Sequence, residues 1–190
     1  PLSPHLTGDK GILARVLHEE LWPGGPTPLW TALDDGMRSI ADEQGRRVVL
    51  TLTDGDDACV LRIYSQPKRD FSMGRLGDFV PSVFNYCSTF RDARTRALRQ
   101  EFMLYAIGMP DLSGNMKDLA AETGGGHFNL SSDANLGESF VRVVEELHHQ
   151  YLLGFSPAVL DGAVHRLEVR IKRPGLLARA RKSYIATEGR

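Results

Sequence analysis

Val48–Thr53 constrains the fold more strongly than any other segment, because every one of its residues is apolar or β-branched. Val and Thr restrict χ1 and suit a pleated sheet, so the segment is predicted to be a strand. Apolar and polar residues hardly alternate, which is typical of a parallel strand covered on both faces. An acidic turn follows from Asp54 onward, and ligands of open α/β sheets bind at the carboxyl ends of strands. We therefore predict a buried strand that ends in a functional turn at Asp54.

Helical and extended patterns alternate along residues 1–149, which predicts βαβ units and a parallel sheet. One helix is predicted to begin with Thr27 as N-cap and Pro28 at the first helical position, and to end at Gly45. Four further helices are predicted: Ile12–Leu21, Phe90–Gln100, Lys117–Glu122 and Leu136–Leu147. Cap residues precede the first and the last of them, in Thr7–Asp9 and Ser131–Asp133. The third is predicted to stop at Thr123–Gly126. Further extended segments are Ala58–Tyr64, Phe102–Gly108 and His127–Leu130, and Pro67–Ser88 is predicted to be a long surface loop.

The pattern changes after residue 149, where strands are predicted with no helices between them. These strands are Tyr151–Phe155, His165–Lys172 and Ala178–Ile185. Leu167, Val169 and Ile171 alternate with charged residues, which is typical of an antiparallel sheet with one solvated face. The sequence therefore predicts an α/β domain over residues 1–149 and a C-terminal β appendage over residues 150–190.

Charge and composition exclude some partners and leave others open. The net charge of −1 gives no global field that would attract nucleic acid, and no apolar run approaches the ~18 residues of a membrane span. Seven Lys or Arg residues and a single acid, Glu168, lie between Arg166 and Lys182. This run is interpreted as the exposed face of a hairpin, with contact to a polyanion as the alternative. Cys59 and Cys87 are too few for a disulfide framework, and whether they pair stays open.

Six segments resemble, in the same order, those of von Willebrand factor A (VWA) domains. They are Gly24–Leu33, Leu52–Asp57, Tyr105–Gly108, Leu119–Gly125, Gln150–Phe155 and Leu167–Gly175. The likeness is to the bacterial VWFA-related proteins, which are usually secreted or periplasmic, and it is weakest across Ala58–Gln100. It implies a Rossmann-like sandwich of three layers, with parallel strands between flanking helices, and an extracytoplasmic location.

The resemblance also implies a metal-ion-dependent adhesion site. In the family, a first-strand Asp-x-Ser-x-Ser, a loop Thr and a loop Asp surround one divalent cation, and the last two match Thr27 and Asp54. Such hard oxygen ligands suit Mg²⁺ or Ca²⁺. This sequence contains no Asp-x-Ser-x-Ser motif. We therefore expect the metal site to be incomplete and its affinity for metal to be weak or absent.

The same difference predicts that the sheet is incomplete. In the family the first strand lies beside the strand matched by Val48–Thr53, so the chain is expected to be N-terminally truncated, beginning at Pro1 with no leader sequence. Without that neighbour, Val48–Thr53 becomes an edge strand with unpaired backbone groups, which favours self-association. The alternatives are that the C-terminal β segments or a partner protein cover the edge.

Two classes of function remain open. The first is a non-enzymatic, adhesion-type module that binds a protein partner at the carboxyl edge of the sheet. The second is a Mg²⁺-dependent phosphotransfer enzyme in which Asp54, Asp56 and Asp57 hold the metal. No nucleophile–base pair can be assembled from the spacing of residues, which favours the first class. Structural roles are also open, because Asp-Gly is ordinary turn chemistry and Thr27 suits a helix N-cap.

Overall fold

The computed structural model of the protein describes residues 7–20, 27–59, 87–108, 112–130 and 136–187. Its helices are α1 (Lys10–Arg15), α2 (Leu29–Ser39), α3 (Phe90–Arg99), α4 (Gly114–Glu122) and α5 (Leu136–His148), and a π-helical segment, Val16–Glu20, follows α1 directly. Its strands are β1 (Val48–Thr53), β2 (Met103–Gly108), β3 (His127–Asn129), β4 (Val164–Arg166) and β5 (Ser183–Ile185). Among these residues, no helix is long and apolar enough to cross a membrane.

The central sheet has the order β1-β2-β3, and both strand pairs are parallel. The register places Val48 beside Met103 and Thr53 beside Gly108, so β1 and β2 end at the same level. Strands β4 and β5 form a separate antiparallel sheet. The prediction of a mixed α/β chain with a parallel sheet and a C-terminal antiparallel β segment is therefore confirmed at this level.

Helices α2, α3 and α4 cover one face of the parallel sheet. The buried cluster on this face includes Leu29, Leu33 and Met37 of α2, Ala93 and Ala97 of α3, Leu104 and Ala106 of β2, and Met116 and Leu119 of α4. The four-residue spacing within α2 puts its apolar side chains on one stripe, as predicted. Small alanines on the buried side of α3 let that helix approach α2 closely, and the rings of Trp30 and Phe90 meet edge to face at 5.0 Å between centroids.

Helix α5 contributes to the cluster on the opposite face, but the cover is incomplete. Tyr105 and Ile107 of β2 are buried there with Leu130 and with Val143 of α5. Their neighbours on β1, Leu50 and Leu52, are 36% and 57% exposed. The prediction that β1 is buried on both faces was therefore wrong, because no helix among the described residues covers this face of β1. Within the same part of the chain, β1 pairs with β2 alone, so one edge of β1 is open.

Several predicted helix limits differ from those observed. Pro28, and not Thr27 as predicted, is the N-cap of α2, so the helix begins one residue later than predicted. Pro28 has a non-helical ψ of 75° and makes no side-chain cap hydrogen bond. The helix ends at Ser39, well before Gly45. Asp9 caps α1 as predicted, because its Oδ1 accepts hydrogen bonds from the N–H groups of Gly11 and Ile12 at 2.8 and 3.2 Å.

The C-terminal strands are shorter than predicted. Val164–Arg166 and Ser183–Ile185 form the only ladder described there, and the N–H of Leu167 adds one hydrogen bond to Lys182 O at 2.8 Å. Beyond it the two segments diverge around a cavity, so most of His165–Lys172 and Ala178–Ile185 has no strand partner. Tyr151–Phe155 is not a strand either. Its side chains are exposed, with Leu152 fully so, because no described strand lies beside them.

Some predictions fall partly or wholly outside the described residues. They are most of the strand over Ala58–Tyr64, most of the loop over Pro67–Ser88, the end of the first helix at Leu21 and the helix caps in Ser131–Asp133. Ala58 and Cys59, which are described, are not in a strand. Nothing in the structure therefore bears on the remainder of these predictions.

The C-terminal segment is attached to the α/β layer through Arg181. Its guanidinium donates hydrogen bonds to the carbonyl oxygens of Ala97, Leu98 and Phe102 at 3.2, 3.0 and 2.9 Å. The carbonyls of Ala97 and Leu98 lie in the last turn of α3, where a cation also compensates the helix dipole. Burial lowers the pKa of Arg181. The antiparallel segment is thus a separate sheet, but it is held against the α/β layer by the partly buried side chain of Arg181.

Candidate functional site

The acidic turn after β1 has a shape that depends on glycine. Gly55 is buried with φ of +90°, and a Cβ at this position would lie 2.5 Å from the backbone nitrogen of Ser113. Two hydrogen bonds close the turn, from the N–H of Gly55 to Thr53 Oγ1 at 3.0 Å and from the N–H of Asp56 to Asp54 Oδ1 at 3.1 Å. Asp54 therefore has a local structural role, as ordinary Asp-Gly turn chemistry predicts, while its side chain stays exposed.

The turn is bound to the start of α2. The N–H of Trp30 donates to Asp57 Oδ1 at 3.3 Å, and the N–H of Ala58 donates to the carbonyl oxygen of Thr27 at 2.9 Å. A carboxylate is favourable at a helix N-terminus, where backbone N–H groups lack partners. The structure therefore brings the Thr27 segment and the acidic turn to the same edge of the sheet. Asp57 supplies the side-chain contact, a role that the sequence interpretation did not give it.

A disulfide fixes the segment that follows the turn. Cys59 and Cys87 are bonded, with their Cα atoms 6.2 Å apart, which resolves the pairing that the sequence left open. The next residue, Ser88, donates its N–H to Thr31 Oγ1 of α2 at 2.9 Å. The chain on both sides of the disulfide is therefore tied to the first turn of α2, directly beside the candidate site.

A buried carboxylate that sequence reasoning missed lies on the next turn of α2. Asp34 is only 1% exposed and accepts hydrogen bonds from Arg38 Nε at 2.9 Å, from Ser88 Oγ at 3.1 Å and from Arg96 Nε. Burial raises the pKa of Asp34, but the bonds from Arg96, Arg38 and Ser88 outweigh it and hold the pKa below 3.8. The sequence does place Asp34 directly after Leu33, at the edge of the apolar stripe of α2, and this position could have indicated that Asp34 is buried.

Within the described residues, the oxygen donors that match the family site are too few for a closed Mg²⁺ or Ca²⁺ site. Hard cations such as Mg²⁺ and Ca²⁺ take about six oxygen ligands. Thr27 and Asp54 match two of the ligand positions of the family. One oxygen of Asp54 already accepts the N–H of Asp56. Ser113 Oγ is buried beside Gly55 with no hydrogen-bond partner in the described part of the chain. Within the same residues, no three His, Cys, Asp or Glu side chains form a metal-binding group.

Beside the turn, β1 presents a second surface with unusual properties. No strand among the described residues pairs with its outer edge, where backbone N–H and C=O groups are presented, and Leu50 and Leu52 are exposed on one face of the same strand. We call this the β1 surface. An exposed apolar edge strand is a template for pairing with another chain.

The chain was compared with protein-family models, with curated proteins and with solved structures, and none of them matches. The resemblance to VWA domains therefore stays a prediction from the sequence motifs.

Proposed function

We propose that the protein is a non-enzymatic protein-binding module with a VWA-like, Rossmann-like fold and an incomplete metal-ion-dependent adhesion site. Three features support the fold assignment. The parallel order β1-β2-β3 lies between a layer containing α2, α3 and α4 and a layer containing α5. The acidic turn ends β1 at the carboxyl edge, and its backbone is bonded to the Thr27 segment.

The observation that carries the proposed function is the β1 surface. Apolar residues at a sheet edge with unpaired backbone groups bind a partner by adding a strand, and the side chains then give specificity. Leu50 and Leu52 meet this requirement, and the acidic turn lies at the end of the same strand. The partner that the chain itself supplies is a second copy, whose β1 has the same surface.

An extracytoplasmic location is part of this proposal. Disulfides form and persist mainly in oxidising compartments, including the bacterial periplasm and the cell exterior. The Cys59–Cys87 disulfide supports that location, and it agrees with the secreted or periplasmic setting of the proteins that the sequence resembles.

Self-association through the β1 surface is the first test. We expect the wild-type chain to sediment as a concentration-dependent dimer and Leu52→Lys to weaken this dimer at least tenfold, because a charge replaces buried apolar area worth about 1.5–3 kcal/mol. Leu160→Lys is the matched control, since Leu160 is 51% exposed, close to the 57% of Leu52, but lies outside β1. A wild-type chain that stays monomeric at high micromolar concentration would contradict a second copy as the partner.

Metal binding is the second test. Because only two matched side chains are available, we expect millimolar Mg²⁺ or Ca²⁺ to leave the thermal unfolding midpoint unchanged, as follows when the metal does not bind the native state preferentially. The measurement is differential scanning fluorimetry of the wild-type chain and Asp54→Asn with and without metal. A rise in the wild-type midpoint that Asp54→Asn abolishes would show that a functional site exists.

The phosphotransfer alternative predicts catalysis, which the proposed function does not. In the described residues no Lys or Arg hydrogen-bonds to Asp54, Asp56 or Asp57, and Asp57 is engaged by the N–H of Trp30. We expect hydrolysis of p-nitrophenyl phosphate with Mg²⁺ to equal that of the Asp54→Asn variant. Turnover in the wild-type chain that is lost in Asp54→Asn would overturn the non-enzymatic assignment.

A further inference from the structure

Apolar side chains are exposed on two neighbouring elements at the face of the sheet that α5 partly covers. On β1 they are Leu50 and Leu52, which lie beside buried residues of β2 on that face. On α5 they are Phe140 and Val144, which are 39% and 49% exposed. The orientation of α5 decides whether these two pairs of side chains border the same space.

The two flanks of α5 face different strands. Glu146 is paired with Arg179, whose guanidinium lies beside Gly126 at the start of β3, so this flank faces β3. Phe140 and Val144 lie about 120° and 160° from Glu146 around the helix axis, with the buried stripe of α5 between them. Their flank therefore faces β1. The resulting apolar groove, which we call the β1–α5 groove, is formed by Leu50, Leu52, Phe140 and Val144.

A second apolar surface lies on α1 and on the π-helical segment that continues it. We call residues 10–20 the N-terminal helix. All six residues of α1 are described, and none of them is buried. Ile12, Leu13, Val16 and Leu17 form one apolar stripe, yet neither apolar cluster of the described residues contains any of them. A helix this short is only marginally stable in water, so it requires a surface on which to pack.

The chain between the two surfaces is long enough to bring them together. Residues 21–28 join the N-terminal helix to Leu29, and eight residues extend over at most about 27 Å. Helix α2 begins beside the acidic turn, at the same edge of the sheet as Leu52. Layers on opposite faces of a sheet are about 20 Å apart. The N-terminal helix is therefore tethered within reach of the β1–α5 groove on the other face.

We propose that the N-terminal helix folds back within its own chain and docks its apolar stripe in the β1–α5 groove, as a strap that controls access to the β1 surface. A short tether gives the helix an effective concentration in the millimolar range, which favours its own groove over that of another molecule. This inference rests on the proposed function, because the strap regulates self-association at the β1 surface.

A closed strap competes with a symmetric dimer. Packed helices are about 8–10 Å apart, whereas neighbouring strands are about 4.8 Å apart. Because α5 packs over β2, a strap beside α5 lies above the outer edge of β1 and overhangs the place of an added strand. In a symmetric dimer, two closed straps would meet at the two-fold axis in a space that holds one helix. The dimer therefore requires at least one strap to open.

The first test is amide hydrogen exchange of the whole chain, measured by mass spectrometry at a concentration where it sediments as a monomer. We expect residues 12–17 to exchange at least tenfold more slowly than an unstructured chain. Val144→Glu puts a charge in the groove and should abolish this protection from a distance. Val141→Glu is the matched control, since Val141 is 57% exposed on the outward side of the same helix, and it should change the protection less than twofold. Slow exchange in β2 reports that each variant is folded.

The second test is sedimentation of a variant whose strap is released. Leu17→Glu puts a charge on the apolar stripe, so it should abolish the protection of residues 12–17 and tighten self-association at least threefold. The reason is that the apparent Kd falls as the fraction of chains with an open β1 surface rises. His18→Glu is the control, because it introduces the same residue at the next position of the helix, outside the stripe, and should change the Kd less than twofold.

The outcomes separate the strap from the proposed self-association. Fast exchange of residues 12–17 in the wild-type chain, or equal losses in Val144→Glu and Val141→Glu, would overturn the strap even if the chain dimerises. Protection that appears only at concentrations where the dimer forms would assign the groove to the helix of a second copy and would also overturn it. Protection lost in Val144→Glu alone, in chains that stay monomeric at every concentration, would support the docked helix and refute self-association.

Discussion

Replacing Gly125 with alanine is expected to destabilise the fold more than other single methyl additions in the chain. A Cβ at Gly125 would lie 1.8 Å from the carbonyl oxygen of Leu104 and 2.6 Å from its carbonyl carbon. Both atoms belong to the backbone of β2, so no side-chain rotation can relieve the overlap. Thr123 Oγ1 also accepts the N–H of Leu104 at 3.1 Å, which holds β2 against this turn.

The size of the effect follows from overpacking in a rigid core. We expect the free energy of unfolding to fall by about 3 kcal/mol, the upper part of the range for overpacking. For a chain of this size, that corresponds to a decrease of about 6–12 °C in the thermal unfolding midpoint. Circular dichroism during heating and urea unfolding measure the two quantities.

Gly137→Ala is the control for this substitution. Gly137 lies in α5, and a Cβ there would have no atom within 4 Å. Alanine also favours a helix over glycine by up to about 1 kcal/mol, so the midpoint should stay unchanged or rise. If both alanine variants unfolded at the wild-type temperature, the close approach of Gly125 to β2 would be refuted.

The elements that the sequence predicted well are those governed by local pattern. The strand Val48–Thr53 has the predicted limits, and α3 and β2 each differ from prediction by one residue at one end, because their apolar and capping patterns are local properties. Gly125 was predicted only as part of a helix stop. Gly125 also leaves space for the backbone of β2, and this role cannot be predicted from the local sequence pattern because it depends on a segment that is distant in sequence.

The predictions that failed depend on contacts between distant segments. Leu50 and Leu52 are apolar, and they are exposed because α5, the helix that covers this face among the described residues, packs over β2. The strand predicted over Tyr151–Phe155 has suitable residues but no described neighbour to pair with. Contacts between distant segments decide such cases, because strand propensity shows that a side chain suits a half-buried sheet surface and does not show which strand lies beside it.

The candidate site was predicted in part. The resemblance to VWA domains brought Thr27 and Asp54 together, and the hydrogen bond between Ala58 N–H and Thr27 O links their two segments. The sequence interpretation treated Asp56 and Asp57 alike, whereas Asp57 alone binds the start of α2. Asp34 was not singled out, because Asp34 and Arg38 have the spacing of an ordinary exposed helix pair and the contact with Arg96 is distant in sequence.

Asp34→Asn is expected to have the second large effect on stability. The side chain of Asp34 is 2% exposed and contacts Arg38, Arg96 and the hydroxyl of Ser88. Removing one partner of a buried ion pair leaves the other charge without compensation, and this typically costs about 3 kcal/mol or more. Because Arg38 is 59% exposed and can turn to water, most of the loss comes from the contact with Arg96.

The contribution of Asp34 also has a defined pH dependence. Its pKa in the folded protein lies below 3.8, so the unfolded state binds the proton more readily. The stabilisation is therefore fully present above about pH 3.8 and is lost as the pH falls through the lower folded value. The difference in unfolding free energy between the wild-type chain and Asp34→Asn should be constant near neutral pH and should shrink in acid.

Urea unfolding of both chains from pH 7 downward measures this difference directly. Asp35→Asn is the control, since Asp35 is the next residue of the same helix but is exposed, and its substitution should change stability by less than about 0.5 kcal/mol. Equal losses in the two variants, or a loss in Asp34→Asn that is the same in acid as at pH 7, would be incompatible with a buried, ionised Asp34. Because Ser88 follows Cys87 and contacts Asp34, the same substitution should also loosen the segment that the disulfide fixes beside the acidic turn.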